Sequence, residues 1–409
     1  MIESLQELHT HHPIQFLYGD TCKVLEHVLP AIDASCLYFN RDYTPYAIMR
    51  DKELFHQLHI INIPCKSYQD YYLQEPGTIL VSNGKMYHKF TPFYEAMLKE
   101  KIATPILSLL DTFHGRFSKY DGKKLKNLDL LDNVQAARNY FLKTPNPQIA
   151  VHGGRKAGLE RLKWSLKTQG KFDETRENMA LESSRMSAYL KFGAISIREI
   201  YWAFVKKYNK NHGYIRELIW RDYFAHLLYA FPETLKHSYY ERFDKINWKI
   251  NHNALEKWKK GQTGFPFVDA CMRELNTIGF MHNRGRMVVA SFLIKTLLIN
   301  WREGEKYFAQ KLVDYDVASN VGNWQSVVGG GAYSMPYFRV MNPWIQSENH
   351  DKDAVYIKHW VPELADVPAN HIHQWNIYYK DYPKIKYPQP MTDYAKQKEL
   401  FLRAVENAK

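Results

Sequence analysis

The stretch Ser183-Ser-Arg-Met-Ser187 places three hydroxyls directly before a helix-like run, Ala188–Phe192. Hydroxyls and unpaired N–H groups at a helix start can hold a phosphate or pyrophosphate, and the same residues can equally form a plain serine cap. No GxGxxG or P-loop pattern occurs, so neither a Rossmann nor a P-loop nucleotide site is signalled. Farther on, Gly279-Phe-Met-His-Asn-Arg-Gly-Arg-Met287 sets two arginines, a histidine and an asparagine at the mouth of an apolar run. Such groups are costly to bury unless partners satisfy them. Asp314-Tyr-Asp316, followed by Ala318-Ser-Asn320, supplies carboxylates that could pair with those arginines, either around a ligand or in a structural ion-pair network. The chain is 15% aromatic, with 10 Trp, 29 Tyr and 21 Phe. Mixed with Arg and Lys, these rings suit stacking on bases or on a flat cofactor as well as ordinary core packing. The clusters His9/His11/His12 and His371/His373 lack acidic or cysteine company at ligand spacing and read as solvated, with no metal expected. No Ser-His-Asp or Cys-His nucleophile elbow is present.

The elements that must position these residues fall into two kinds. Pro13–Tyr18, Ser35–Asn40 and Ile60–Cys65 read as buried strands, with helices over Cys22–Leu29 and Pro45–Leu58 between them. Alternation of this sort predicts βαβ units and a parallel sheet, here incomplete at three strands. A Pro-rich loop, Lys143-Thr-Pro-Asn-Pro147, marks a boundary. Beyond it long amphipathic stretches follow one another: Arg155–Thr168, Ser187–Tyr208, Tyr214–Ala230, Asn253–Gly261, Phe267–Gly279, Met281–Asn300 and Gly304–Leu312. Met287–Leu298 is apolar almost all round and reads as a central buried helix. The expected architecture is an α/β N-terminal domain with an incomplete Rossmann-like parallel sheet (1–95), a connector (96–150) and a larger all-α domain (151–409).

Among 409 residues, 45% are hydrophobic and 24% charged, which excludes disordered and collagen-like classes. A net charge of +12 makes a polyanion a plausible partner. Cys22, Cys36, Cys65 and Cys271 show no CxxC or metal spacing and read as buried thiols of a reducing compartment, cytoplasmic or nuclear. Met1–His12 has no apolar signal-peptide core, and Met287–Trp301 is too short to span a bilayer, so no membrane association is expected.

Taken together, several long motifs in order resemble the DNA photolyase/cryptochrome family over residues 152–375. They are Gly153-Gly-Arg, Ser187-Ala-Tyr-Leu-Lys-Phe-Gly193, Arg216-Glu-Leu-Ile-Trp-Arg-Asp222, Gly261-Gln-Thr-Gly-Phe-Pro-Phe-Val-Asp-Ala270, Met281–Phe292, Asp314–Trp324 and Tyr337-Phe-Arg-Val-Met-Asn-Pro343. The resemblance, closest to a class I-type cyclobutane-dimer photolyase, implies an FAD held in an all-helical flavin-binding domain. It would be contacted by Phe172, Ser183, Ser184, Arg185, Met186, Ser187, Asn283, Arg286, Asp314, Tyr315, Asp316 and Asn320, the last facing flavin N5. It further implies light-driven repair of pyrimidine dimers in DNA by electron transfer from reduced FAD. In that reaction Glu217, Trp220, Asn283, Met287 and Asn320 would be catalytic, Arg221, Arg339 and Gln346 would join Glu217 and Trp220 in contacting DNA, and Trp324, Trp301 and Trp248 would form an electron relay. A dimer must leave the stack to be reached. A monomer without an obligate protein partner is expected.

Where the sequence departs from the pattern, other expectations follow. Ser326 stands where a second aromatic usually sandwiches the lesion, which predicts weaker or differently shaped dimer binding. Phe280 and Asp314-Tyr-Asp316 lean toward DASH cryptochromes, which act on single-stranded DNA, whereas Met287 is photolyase-like. Residues 1–95 match only the later part of an antenna domain, leaving a sheet edge to cover. Thr44 replaces an acidic folate contact, so a folate or deazaflavin antenna is expected to bind weakly or not at all. The alternatives are a DASH-type or other blue-light receptor, against which stand Asn320, Met287 and the lack of a long tail after His373, and a flavoprotein that binds nucleic acid without repairing it.

Overall fold

Short apolar runs between polar turns build the first layer. The computed structural model describes residues 1–11, 14–106, 129–131 and 134–408, so His12 and Pro13 and most of the expected connector lie outside the described residues. Helix α1 (Ile2–His11) leads to β1 (Phe16–Tyr18), α2 (Thr21–Ala31), β2 (Leu37–Asn40), α3 (Pro45–Ile60) and β3 (Cys65–Tyr68). Asp20 starts α2 by accepting the Lys23 N–H, and Thr44 starts α3 by accepting the Ala47 N–H, with Pro45 as its first helical residue. β2 and β3 pair in parallel from Leu37 opposite Cys65 to Asn40 opposite Tyr68, and Leu29, Leu54 and Leu58 form a small core beside them.

Two strands differ from expectation. The third begins at Cys65 rather than Ile60, because α3 runs through Ile60, Asn62 is left-handed (φ 56°) and Pro64 has no N–H for a ladder. β1 does not join the parallel pair: it lies antiparallel to β4 (Asp129–Leu131), Phe16 opposite Leu131. Of the four thiols, Cys22 and Cys271 are buried, while Cys36 and Cys65 are only half-buried.

Next come α4 (Phe90–Met97), α5 (Val134–Phe141) and α6 (Arg155–Thr168). Gly154 precedes α6 and offers no capping side chain, so acidic residues of α1 stand in. Glu7 accepts the N–H groups of Arg155 and Lys156 at 3.1 Å, and Glu3 accepts that of Gly153 at 2.5 Å. The rest is helical: α7 (Phe172–Thr175), α8 (Met186–Lys191), α9 (Ile197–Lys207), α10 (Gly213–Ala230), α11 (His252–Lys260), α12 (Pro266–Ile278), α13 (Asn283–Ser291), α14 (Trp301–Lys311), α15 (Val317–Val328), α16 (Pro343–His350), α17 (Val355–Trp360), α18 (Ala369–His373), α19 (Trp375–Tyr378) and α20 (Tyr394–Glu406). No strand occurs from residue 134 onward among the described residues.

The expected helix Ser187–Tyr208 is two helices, broken at left-handed Gly193 and restarted by a Ser196–Glu199 capping box. The expected Met281–Asn300 helix is α13 followed by a fully buried π turn, Phe292–Thr296, and ends where Leu298 turns left-handed. The main core joins α11 to α15 around Trp258, Phe292, Trp301 and Trp324. A second core unites α9 and α10 with Leu73, Ile79, Phe90, Phe93 and Ile102, so the chain enters the helical part well before the Pro-rich loop. No described helix is long and apolar enough to cross a membrane.

Candidate functional site

At the start of α8 the chain kinks through left-handed Arg185 (φ 51°), which gathers the serine hydroxyls on one short segment. Arg161 of α6 donates to the carbonyls of both Ser183 and Ser184, the latter at 2.7 Å, and pins that segment. The Tyr214 hydroxyl donates to Ser184 Oγ at 2.8 Å, which leaves the Ser184 proton free to be given to another acceptor. Ser187 is exposed although Met186 and Ala188 on either side of it are buried. Phe172 packs edge-on against Tyr214 at 5.5 Å.

The arginines and carboxylates flagged in the sequence meet at the same place. Arg286 Nη2 donates to both oxygens of Asp314 at 3.1 and 2.9 Å, and Ser187 Oγ donates to Asp314 Oδ2 at 2.6 Å. One buried carboxylate therefore ties α8, α13 and the segment before α15 together. The Phe280 ring lies within cation–π reach of both Arg286 (5.2 Å) and Arg185 (5.6 Å). Asp316 caps α15 by accepting the Ser319 N–H at 2.9 Å and has Lys191 3.8 Å away. Tyr315 beside it is pushed up to about 12 by burial. Asn320 gives its amide hydrogens to Glu305, at 2.9 Å to the carboxylate and 3.2 Å to the carbonyl. Burial raises the Glu305 carboxyl and the Asn320 bond opposes it. Glu305 was not singled out in the sequence, where its only signal is a position on the buried side of α14.

Glu217 and Trp220 are three residues apart on α10, and Asn283 and Met287 four apart on α13, so each pair shares a helix face. Asn283 is exposed and the other three are partly exposed, while Leu218, Ile219, Gly285 and Val288 between or beside them are buried. A chain of charges joins the two helices: Glu217 to Arg176 (3.0 Å), Arg176 to Glu177 (3.9 Å), and Glu177 to Arg284 (2.5 Å). His350 Nδ1 contacts the Glu177 carbonyl at 3.0 Å, bringing in α16. Burial pushes the Glu217 carboxyl up while Arg176 and Arg216 pull it down. Neither Arg176 nor Glu177 stood out in the sequence, since an Arg-Glu pair on a polar segment is commonplace. Trp220 has one face covered by Phe90 of α4, ring centroids 3.4 Å apart and nearly parallel at 6°. Tyr333 meets it edge-on at 4.8 Å.

One of the expected rim contacts is placed otherwise. Arg221 stacks over Tyr71 and Tyr72 (4.2 and 4.5 Å) and donates from Nη1 to the Tyr71 carbonyl at 2.7 Å, and its Nη2 is sealed from solvent without a partner. It clamps the segment after β3 to α10 and has no free edge for a phosphate. Gln346 is partly exposed, with its side-chain oxygen buried and unpaired. Arg339, by contrast, is exposed, next to Phe338 at 63% exposure.

Of the three tryptophans in line, Trp324 and Trp301 are buried and Trp248 is partly exposed at the edge of the same core. Trp324 lies against bare Gly304, one turn along α14 from Trp301, where a Cβ would overlap its ring. The Lys249 N–H donates to the Leu298 carbonyl at 2.8 Å and seats the Trp248 segment on the end of the π turn.

A family model described as the FAD binding domain of DNA photolyase matches residues 214–407, and one described as DNA photolyase matches residues 1–108. The chain is 35% identical over 393 residues to the deoxyribodipyrimidine photo-lyase of Alkalihalophilus pseudofirmus, covering 93% of this chain and 80% of that protein. To that of Escherichia coli it is 32% identical over 416 residues, 95% of this chain and 81% of the other. The cryptochrome DASH of Synechocystis is 34% identical over 378 residues, 86% and 73% of the two chains. Among solved structures, a bacterial class III photolyase from Agrobacterium tumefaciens superposes with a TM-score of 0.87 at 29% identity, over 100% of this chain and 87% of that one. An archaeal photolyase from Sulfolobus tokodaii, solved with two FAD molecules, gives 0.85 at 36% identity over 99% and 87%.

Proposed function

The chain belongs to the DNA photolyase family, and from that premise we infer that it is a deoxyribodipyrimidine photo-lyase that uses FAD and light to split cyclobutane pyrimidine dimers in DNA. The residues fit the cofactor. Hydroxyls of Ser183, Ser184 and Ser187 with the Arg161-pinned backbone suit a diphosphate, and the Arg286–Asp314 pair and the amides of Asn283 and Asn320 suit the polar edges of a flavin. When bound, reduced FAD supplies, under light, the electron that opens the cyclobutane ring and is then returned.

The rest belongs to the side chains. Two carbon–carbon bonds break, nothing is added, and the dimer must be held outside the helix while this happens. The charge chain Glu217–Arg176–Glu177–Arg284 is the observation that carries this reading, because it gathers the polar faces of α10 and α13 at one mouth. There Glu217, held by Arg176, hydrogen-bonds to the pyrimidines and so stabilises the negative charge that rests on the dimer. Trp220, backed by Phe90, offers one ring face to the pyrimidines, and Met287 fills the space beside it. Asn283 pairs with the base edge. Asn320, its amide hydrogens held by Glu305, would leave its carbonyl oxygen for the flavin. Trp248, Trp301 and Trp324 carry electrons inward from the surface. Phe280, which leans toward DASH cryptochromes in sequence, lies between Arg185 and Arg286. We place the protein in a reducing compartment that keeps its four thiols free, acting as a monomer.

Expression in a bacterium lacking photorepair tests the function. Survival after ultraviolet irradiation should rise only when visible light follows. Equal survival in light and dark, from cells whose protein carries stoichiometric FAD, would overturn it.

A further inference from the structure

We propose that Tyr333 is a lesion-contacting residue: it supplies, from the loop after α15, the second aromatic wall of the dimer pocket that Ser326 does not provide. This rests on the pocket assignment above, with Trp220 as the first wall.

Phe90 stacks on one face of Trp220 at 3.4 Å, and Phe224, a turn along α10, lies near-parallel to it at 5.6 Å, so little of the Trp220 ring is left to serve both pyrimidines. Two rings meet Trp220 edge-on, Tyr223 of its own helix at 5.5 Å and, from the loop after α15, Tyr333, centroids 4.8 Å apart with the planes at 66°. Tyr223 of α10 supports Tyr333 at right angles, 6.4 Å away. Ser326 is buried on α15 and has no ring, but its carbonyl accepts the Met335 N–H at 3.2 Å, which folds the loop back across it and delivers Tyr333 two residues earlier. The base of that loop is anchored. The N–H groups of Gly329, Gly330 and Gly331 all point to the Gln325 carbonyl at 3.0 to 3.2 Å. The Gln325 side chain is itself held by the Thr234 and His237 carbonyls and the Tyr239 N–H. Tyr333 thus extends from a fixed base, is 38% exposed, and its hydroxyl makes no hydrogen bond among the described residues.

Two planes meeting at a steep angle suit a cyclobutane dimer, whose four-membered ring splays its two pyrimidines apart, better than they suit one flat base. An apolar recess lined by Phe224, Leu228, Gly322 and Ala332 lies beside Tyr333. The free phenol hydroxyl is then within the pocket to donate to a pyrimidine carbonyl.

The test is a titration of flavin-loaded wild type, Tyr333→Ala and Tyr333→Phe with an oligonucleotide carrying one thymine dimer and with its undamaged counterpart. Base–aromatic stacking of about 1–3 kcal/mol per base converts to roughly 5- to 150-fold in affinity. Tyr333→Ala should lose affinity for the damaged strand within that range, keep its undamaged affinity within about twofold, and retain its flavin. Tyr333→Phe should lose clearly less than Tyr333→Ala, since the wall is the ring and only one hydrogen bond is removed. Unchanged damaged-strand affinity in Tyr333→Ala, equal losses on both strands, or a Tyr333→Phe as weak as Tyr333→Ala would each overturn the proposal. If instead the wild type shows no preference for the dimer, the photolyase reading of the pocket fails before the role of Tyr333 is reached.

Discussion

Lys295 sits on the π turn with its ammonium inside the protein, donating to the carbonyls of Tyr337 (3.3 Å) and Arg339 (3.0 Å) with the Phe401 ring 5.7 Å away. Burial, aided by the charge of Arg339, brings its pKa down from 10.5 to about 7. A depressed basic group is neutral in the folded state and protonated in the unfolded one between those values, so stability falls as pH drops from about 10 to 7 and levels off below. Lys295→Met removes that dependence: the melting temperature of the variant relative to wild type should climb as pH falls from 10 to 7. Parallel curves would show that the amine is solvated. The Trp324 side chain allows a different test. Trp324→Phe should block photoreduction of oxidised flavin, followed by absorbance under blue light, because Phe is much harder to oxidise than Trp. Repair by chemically pre-reduced variant should persist. Residue types were legible in the sequence where a motif named them: Ser187, Arg286 and Asp314 meet as one cluster. They were not legible where geometry alone decides, as with Arg221, whose guanidinium is taken up by two tyrosines from a distant segment.

Glycines set how closely the elements approach. Gly304 of α14 lets the Trp324 indole of α15 lie directly on the backbone, and an added Cβ would overlap the ring. Gly304→Ala should therefore cost about 1–3 kcal/mol by overpacking, measured by denaturant unfolding, and slow photoreduction because Trp324 is displaced. An alanine variant as stable as wild type would place Trp324 elsewhere. The motif Gly261-Gln-Thr-Gly-Phe-Pro-Phe-Val-Asp269 has a purely structural cause. Gly264 has its Cα against the Gln389 carbonyl, and buried Asp269 accepts from Thr263, Gly264 and Tyr387. Helices with a clear apolar stripe, such as α11 and α12, were readable from period alone. α15 was not: its valines, serines, asparagines and glycine are weak helix formers, and packing against α10 and α14 holds it. β4 pairs with a strand more than a hundred residues earlier, a partnership no local pattern announces.

On the scale of the whole molecule, the +12 charge should act on phosphates, so DNA affinity should fall steeply with salt through counterion release. Arg339→Ala should weaken damaged and undamaged DNA alike and flatten the salt slope by about one. Trp220→Ala should lose roughly 1–3 kcal/mol on damaged DNA only. Titrations at several salt concentrations separate the two. Equal loss on both substrates for Trp220→Ala would move the lesion elsewhere. Thr44 is occupied as the cap of α3, so an action spectrum following FAD alone is expected. The two-part plan of a small α/β layer and a helical body was legible from the change of hydrophobic period. The seam between them was not, because Leu73 to Ile102 pack into the helical core. The most direct measurement counts the dimers left in a defined oligonucleotide after incubation with flavin-loaded, pre-reduced protein, in blue light and in darkness. Dimers should disappear in the light only, several per protein molecule, whereas equal counts in light and dark would contradict light-driven dimer repair by this chain.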